Sequence, residues 1–131
     1  MAGLLFMDID QFKRINDSYG HDVGDLALSM VANTIRHALR ATDTIGRWGG
    51  DEFVAILYDI FDEDTLHTAA GKVRSLIQTS RLDIGNHNLT VTASIGATRL
   101  YSNDTPESLI RRADGLMYRS KQAGGNLVTL G

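Results

Sequence analysis

Asp8, Asp51 and Glu52 are the residues of this sequence best placed to do chemistry. Asp51 and Glu52 follow two glycines in the stretch Arg47-Trp48-Gly49-Gly50-Asp51-Glu52-Phe53. Strand-like runs flank it, Asp43-Thr44-Ile45-Gly46 before and Val54-Ala55-Ile56-Leu57-Tyr58 after. The pattern predicts a β-hairpin with Gly49 and Gly50 in a two-residue type I′ turn, which needs positive φ at both positions. A plain hairpin needs no pair of acids at its mouth, and the absent glycine side chains leave room there for a ligand. Asp8 ends the apolar run Leu4-Leu5-Phe6-Met7 and alternates with Leu4 and Phe6, so on a pleated strand it continues their face. If that strand lies beside the hairpin, three carboxylates converge at one sheet edge. Like charges that close raise one another's pKa unless a cation holds them. Hard oxygen ligands with open positions suit Mg²⁺, or Mn²⁺ in its place, sharing the shell with phosphate and water. The reaction class is metal-assisted phosphoryl or nucleotidyl transfer, in which metals neutralise developing charge and activate the attacking oxygen. The bland alternative is a network of solvated edge acids.

Conventional nucleotide signatures are missing: there is no G-x-x-x-x-G-K-[ST] loop and no G-x-G-x-x-G after a strand. A phosphate grip would therefore come from backbone N–H groups after Asp8 and from lone cations such as Lys13 and Lys121. His37, His67 and His87 fall in helical or loop contexts and build no Ser-His-Asp set. The absence of cysteine removes disulfides, thiolate metal sites and thiol catalysis, and fits a reducing compartment such as the cytoplasm. A net charge of −3 argues against a broad nucleic-acid footprint. No apolar run approaches the ~20 residues of a membrane span, so no membrane contact is expected of the chain itself. Met1-Ala2-Gly3 leads straight into a strand without a basic region or cleavage site, so no secretory signal is expected. A chain that opens inside its first core strand is expected to be a piece of something longer.

These groups need a scaffold, and 131 residues with 43% hydrophobic content suffice for one domain, residues 1–131, with a real core. Asp10 is placed to cap a short helix over Gln11–Asn16. After the turn Asp17-Ser18-Tyr19-Gly20-His21, a long helix is predicted from Asp22 to Leu39, with Val23, Leu26, Met30, Val31, Thr34, Ile35 and Ala38 on one stripe. Asp25 lies in its first turn, where an acid also suits the helix dipole. A second helix starts at Asp62–Asp64 and buries Leu66, Ala69, Ala70, Val73 and Ile77. Leu82 to Asn88 reads as a hairpin, and Leu89–Ile95 as a half-buried strand with clean alternation. Thr105-Pro106-Glu107 opens a last long helix to Lys121, stopped by Gly124, before a short strand over Asn126–Leu130. Hairpins mixed with helices argue for an α+β domain: a central, mainly antiparallel sheet of about five strands flanked by helices.

Three segments together resemble the GGDEF-domain diguanylate cyclases: Phe6-Met7-Asp8-Ile9-Asp10-Gln11-Phe12-Lys13-Arg14-Ile15-Asn16-Asp17, then Gly20-His21-Asp22-Val23-Gly24-Asp25, then Arg47 to Phe53. Thr90–Gly96, Arg112-Ala113-Asp114 and Tyr118 to Asn126 are similar to later segments of that family, in the right order. The resemblance covers essentially the whole chain. It implies a palm like that of nucleotidyl cyclases and one class of polymerases, with a ferredoxin-like core, condensing two GTP into cyclic di-GMP and two pyrophosphates. By the same resemblance Asp8, the Ile9 carbonyl, Asp51 and Glu52 hold the metals, and Asp51, Glu52 and Lys13 serve catalysis. Asn16 and Asp25 read the guanine edge. His21, Phe12, Lys121, Gly49 and Gly50 complete substrate binding. Arg40 and Asp43 form an R-x-x-D pair with five residues between Asp43 and Gly49, which resembles the family's inhibitory site for cyclic di-GMP. A transient homodimer is implied for turnover, since the reaction needs two half-sites.

Two departures stand out. The family usually has Arg where this chain has Gly125, and a lost charged hydrogen-bond partner is worth ~1.5–3 kcal/mol of binding if nothing replaces it. The family's segment with a D-x-L-T-x-L-x-N-R-type stretch before the first strand is also absent. These features keep a second expectation open, a weak or inactive GGDEF module that binds GTP or cyclic di-GMP and regulates a neighbouring domain. An adenylyl-type cyclase is disfavoured by Asn16 and Asp25.

Overall fold

The structure, a computed structural model, describes residues 1–131. In chain order the elements are β1 (Ala2–Ile9), α1 (Phe12–Tyr19), α2 (His21–Ala38), β2 (Thr44–Arg47), β3 (Glu52–Tyr58) and α3 (Glu63–Thr79). Then come β4 (Leu82–Asp83), β5 (Asn88–Leu89), β6 (Ala93–Arg99), α4 (Pro106–Gln122) and β7 (Val128–Leu130). The central sheet has the order β2-β3-β1-β6-β7, antiparallel except for the β6–β7 pair. β4 and β5 form a separate small ribbon, as Leu82–Asn88 predicts. The fold is α+β, a mixed five-stranded sheet flanked by four helices.

β1 is apolar on both faces because both are covered. Leu5, Met7 and Ile9 join the larger core with Ile15 of α1, Leu28, Val31 and Ile35 of α2, and Leu66, Val73 and Ile77 of α3. Leu4 and Phe6 meet Ala113 and Met117 of α4 on the opposite face. The strand predicted over Leu89–Ile95 is shifted: β6 begins at Ala93 and is buried from there through Thr98. Clean alternation misleads here because α3 and α4 cover opposite faces. Ala93, Ile95 and Ala97 pack into the larger core, and small or hydroxylated Ser94, Gly96 and Thr98 point to α4.

The long helix buries Gly24, Ala27, Leu28, Val31, Ile35 and Ala38. Leu26, predicted on that stripe, is 52% exposed, since two residues from Gly24 or Leu28 is more than half a helical turn. The short helix continues to Tyr19, and Asp10 does not cap it. Its N-cap is Gln11 in the left-handed region (φ 56°), without any side-chain capping bond. The other starts behave as predicted: Asp62 accepts from the Thr65 amide at 2.7 Å, and Thr105 and Ser108 cap each other reciprocally.

α4 is fixed at both ends. Arg112 donates to Asp104 Oδ1 and Oδ2 (2.9 and 2.7 Å), to Thr98 Oγ1 (2.7 Å) and to the Arg99 carbonyl (2.9 Å). The guanidinium also lies 4.5 Å from the Tyr101 ring centre. It holds the Asp104 carboxyl well below the usual carboxylate range. Further along, Ser120 Oγ donates to the Ile95 carbonyl at 2.9 Å. Between these anchors the helix backbone rests on Gly96, where a Cβ would overlap the Ala113 carbonyl and the Met117 amide. Gly96→Ala is therefore expected to destabilise the fold by about 3 kcal/mol, as overpacking against backbone does. Urea titration checks this, with a Gly46→Ala control, whose Cβ would meet only Val54 Cγ2 at 3.9 Å.

Candidate active site

β1 delivers the first acid. Asp8 pairs in register with Glu52 of β3 on one side and Ser94 of β6 on the other, so these three side chains share the α4 face. The Ile9 amide donates to the Asp51 carbonyl at 3.1 Å, which ties the signature turn to the end of β1. The Asp8 carboxyl is thereby placed where the Asp51 carboxyl acts on it. Burial first, then the Asp51 hydrogen bond and charge, push Asp8 up from 3.8 to about 7, against the opposing pull of Lys121. Its Oδ1 is buried and accepts no hydrogen bond; Lys121 Nζ stands 3.3 Å away, an ionic contact without hydrogen-bond alignment.

The predicted convergence of three acids is only partly realised, because no three such side chains close on one point. Glu52 opens β3 and its longer side chain extends toward α4. Its carboxyl is raised by burial, next by the charge of Asp114 and then by that of Asp51, with Lys121 opposing. What Asp8 and Asp51 present is an open, oxygen-rich edge with an orphaned buried oxygen. That fits a hard divalent cation whose remaining positions come from a backbone carbonyl such as that of Ile9 and from ligand and water oxygens.

The turn that carries Asp51 differs from the type I′ expectation. Neither Gly49 nor Gly50 has positive φ. The Trp48 and Gly49 amides both donate to the Glu52 carbonyl (2.8 and 3.4 Å). Arg47 Nε donates to the Gly49 and Gly50 carbonyls, each at 3.1 Å, and Nη2 also reaches Gly50. A wider turn held by a guanidinium needs no left-handed residues. A Cβ at Gly49 would lie 3.2 Å from Glu52 Oε1, so it would shift that carboxylate by a few tenths of an ångström, whereas Gly50 faces open space. Trp48 is 53% exposed and meets Phe6 edge-on, with ring centres 6.0 Å apart.

The predicted phosphate donors lie beside this edge. No side chain or loop carbonyl takes the Gln11, Phe12 and Lys13 amides at the start of α1. Lys13 is exposed. Lys121 spans Asp8 and Asp10, at 3.3 and 3.5 Å. Phe12 is half-buried and packs on the core. Asn16 lies across Gly24, where a Cβ would overlap its Oδ1, so glycine is what lets Asn16 lie against the first turn of α2, next in sequence to Asp25. Asp25 and His21 are exposed at the start of α2.

Arg40 and Asp43 lie apart from this group. Asp43, whose side chain is 2% exposed, accepts from the Arg40 amide (3.0 Å), from Arg40 Nη2 (3.2 Å) and from the Tyr58 amide (3.2 Å). Arg40 also donates to the Tyr58 carbonyl. The pair thus clamps the end of β3, and the sequence expectation of an Asp43 free to meet a ligand does not match its saturated, buried carboxylate. Arg40 itself opens onto a cleft of 460 Å³ lined also by Thr65, Thr68 and Lys72.

Sequence reasoning assigned no role to Asp114 or Arg47, which carry no local signal beyond a helical acid and a strand-end base. It gave Asp10 the wrong one. The Asp10 carboxylate accepts from Thr92 Oγ1 (2.7 Å), Ser94 Oγ (2.6 Å) and the Asn126 amide (2.8 Å). Those partners are 82, 84 and 116 residues away, beyond any spacing rule.

An α+β domain with acids at the end of its central strand, unpaired amides beside them and Lys121 shared between two carboxylates is suited to a charged, oxygen-rich ligand. The chain belongs to the family described as "Diguanylate cyclase, GGDEF domain", which matches residues 1–127. It is 37% identical over 128 residues to diguanylate cyclase A of Treponema denticola, covering 97% of this chain and 34% of that protein. The chain thus spans about a third of that relative's length. Among solved structures it is similar to diguanylate cyclase SiaD of Pseudomonas aeruginosa, seen in complex with its activator SiaC. The TM-score is 0.94 at 33% identity, over 99% of this chain and 50% of that one. It is also similar to the GGDEF domain of DgcB from Caulobacter crescentus in complex with c-di-GMP. There the TM-score is 0.91 at 30% identity, covering 98% and 77% of the two chains.

The Asp8 carboxyl gives the cation-free protein a distinctive pH response. A folded-state pKa raised from 3.8 to about 7 means that the native chain keeps a proton that the unfolded chain releases. The resulting penalty grows as pH rises from about 4 to about 7 and is constant above. Asp8→Asn is therefore expected to melt at higher temperature than the parent at neutral pH, with the gap closing toward pH ~4. Thermal melts in the presence of a chelator check this; a gap that does not change with pH would contradict the assignment.

Proposed function

We propose that this chain is a diguanylate cyclase domain that condenses two GTP molecules into cyclic di-GMP and two pyrophosphates. The observation that carries the reading is the Asp8–Asp51 edge with its orphaned buried oxygen, set beside unpaired amides and Lys121. In each half-reaction the 3′-hydroxyl oxygen of one GTP bonds to the α-phosphorus of the other. The bond from that phosphorus to the β-bridging oxygen breaks, and pyrophosphate leaves. Asp8, Asp51 and the Ile9 carbonyl would hold a divalent cation, Mg²⁺ or Mn²⁺, with Glu52 beside them; when bound it would supply charge neutralisation and activation of the attacking hydroxyl. Glu52, its carboxyl raised by burial and by Asp114, is suited to receive the hydroxyl proton. Lys121 and Lys13 grip the phosphates, helped by the Gln11, Phe12 and Lys13 amides. Asn16 and Asp25 read the guanine edge, where a carboxylate accepts from N1–H and N2–H₂ that adenine lacks. His21 belongs to the same wall, and Gly49 and Gly50 leave the nucleotide room.

One chain positions one nucleotide, so turnover needs two domains face to face, each 3′-hydroxyl aimed at the other's α-phosphate. The domain works where GTP is, on the cytoplasmic side. Incubated with GTP and Mg²⁺ at high protein concentration, the chain is expected to form a cyclic dinucleotide detectable by chromatography and mass spectrometry, and to form none with ATP. Glu52→Ala should lose activity by about 100-fold or more while keeping its fold. Wild-type-like turnover in that variant would remove the site assignment. Gly125 favours a second reading, a GTP- or cyclic di-GMP-binding module with little turnover; GTP binding by calorimetry without product would select it.

Arg40 is proposed as the contact of an inhibitory product site, with Asp43 and the Tyr58 backbone holding its guanidinium at the mouth of the Thr65–Thr68–Lys72 cleft. A guanidinium forks onto a phosphate or onto guanine N7 and O6. Cyclic di-GMP should bind with unchanged affinity when Glu52 is replaced by Ala, and about 10-fold more weakly in Arg40→Ala. Calorimetry decides; undiminished binding in Arg40→Ala would place product inhibition elsewhere.

A further inference from the structure

Asp10 lies two residues beyond the metal edge, and its carboxylate is more fully engaged than any other there. Oδ1 accepts from Ser94 Oγ, and Oδ2 accepts from Thr92 Oγ1 and the Asn126 amide. Its side chain is 13% exposed. The three donors come from the approach to β6, from β6 itself and from the turn after α4, so the carboxylate is fixed from three directions. Lys121 Nζ is 3.5 Å from Asp10 Oδ1 and 3.3 Å from Asp8 Oδ1, near enough to equal that the ammonium is shared. The two carboxylates differ in one respect: both Asp10 oxygens accept hydrogen bonds, whereas Asp8 Oδ1 has none.

Gly125 shows that the space around Asp10 is kept clear. A Cβ at this residue would stand 3.0 Å from the Asp10 Cγ and Oδ2, and φ is +78°. Its neighbour Asn126 is also left-handed (φ 53°), with its amide on Asp10 and its side chain accepting from Arg74 Nη1 at 2.8 Å. The turn after α4 is therefore wrapped around the Asp10 carboxylate and fastened from α3.

We propose that Asp10 is a positioning residue that acts through Lys121. It holds the ammonium beside Asp8 without ceding it to Asp8, so that Asp8 Oδ1 remains available to a divalent cation and the remaining N–H donors of Lys121 remain available to phosphate. Without the charge of Asp10, Lys121 collapses onto Asp8. A cation must then displace it, and the phosphate grip is lost in the same step. The inference rests on the proposed nucleotide site for its consequences, while the Asp10–Lys121 pairing stands independently of it.

The test has a ligand-free arm and a ligand arm, both on the full chain. Competitive acetylation with acetic anhydride, read by mass spectrometry, reports the environment of each lysine; exposed Lys13 and Lys72 serve as references. In the parent, Lys121 should label more slowly than both, and equal rates overturn the proposal. Asp10→Asn, which keeps the shape of the side chain, should change Lys121 labelling by about threefold or more relative to Lys72. Ser94→Ala, which removes one donor and leaves the charge, should change it little. A Lys121 rate unaltered in folded Asp10→Asn, or altered as much in Ser94→Ala, overturns the proposal. Should Asp10→Asn fail to fold, the paired variant Thr92→Val with Ser94→Ala, which frees the carboxylate, must alter Lys121 labelling in its place.

The ligand arm is a double-mutant cycle on GTP affinity in Ca²⁺, by calorimetry, with Asp10→Asn and Lys121→Met. If Asp10 acts through Lys121, the double variant binds as weakly as Lys121→Met alone, within about twofold. Fully multiplicative losses make Asp10 merely structural and overturn the proposal. Should the parent fail to bind GTP, the functional reading fails, and the labelling arm alone then decides the role of Asp10.

Discussion

Two carboxylates within reach of each other, at the end of a buried strand, set the problem that the surrounding structure answers. A pair of like charges about 4 Å apart near a protein surface repels by about 4 kcal/mol, a large part of the ~5–15 kcal/mol that holds a domain together. Asp8 and Asp51 are nonetheless brought together by backbone pairing, through the Ile9 amide on the Asp51 carbonyl and the register that sets Asp8 against Glu52. The chain meets the repulsion in two ways of its own. Asp8 takes up a proton more readily than an ordinary carboxyl, and Lys121 supplies a positive charge from α4. Neither satisfies the buried Asp8 Oδ1, and a divalent cation would do so directly.

α4 has to be close for Lys121 to reach the edge, and its closeness is a property of β6. Ser94, Gly96 and Thr98 are the positions of that strand that face the helix, and none has a large side chain. Gly96 admits the helix backbone, Thr98 receives Arg112, and the Ile95 carbonyl receives Ser120. The helix axis is thus fixed by contacts at Arg112 and Ser120, with Asp114 and Lys121 carried at defined distances along it. Burial of β1 from both sides follows from the same arrangement. The α4 face supplies the charges of the site and the opposite face supplies most of the hydrophobic core.

Local regularities in the sequence were enough for most of the elements and for the acidic edge. Strand, hairpin and helix boundaries near Asp62, Thr105 and Gly124 follow from capping and turn chemistry, which act over three or four residues. The failures share a cause, which is that distant groups changed a local preference. Asp10 looks like a helix cap until Thr92, Ser94 and Asn126 claim its oxygens. Gly49-Gly50 looks like a type I′ turn until the Arg47 guanidinium stabilises a wider one. Leu89–Ile95 looks half-buried until a helix on each side buries its continuation. Asp43 looks like a free ligand group until the Tyr58 amide and Arg40 saturate it. In each case the deciding partner is a side chain or backbone group whose approach depends on the assembled sheet.

Gly125 shows how such a long-range constraint bears on chemistry. The resemblance leads to an arginine at this position, and its absence removes one cation from the proposed phosphate side of the site. The backbone there is nevertheless held by Asp10 on the Asn126 amide, by Arg74 on the Asn126 side chain and by the Ser120 carbonyl on the Gly125 amide. What is missing is therefore a side-chain contact, and the turn is one that glycine suits, with φ +78° and the Asp10 carboxylate 3.0 Å from where a Cβ would stand. A contact of that kind, made to phosphates before and during reaction alike, belongs to uniform binding, whose loss raises KM more than it lowers kcat. In the proposed reaction the groups whose interactions would change as the new bond forms are the Asp8–Asp51 edge and Glu52, and the Gly125 position touches neither Asp51 nor Glu52.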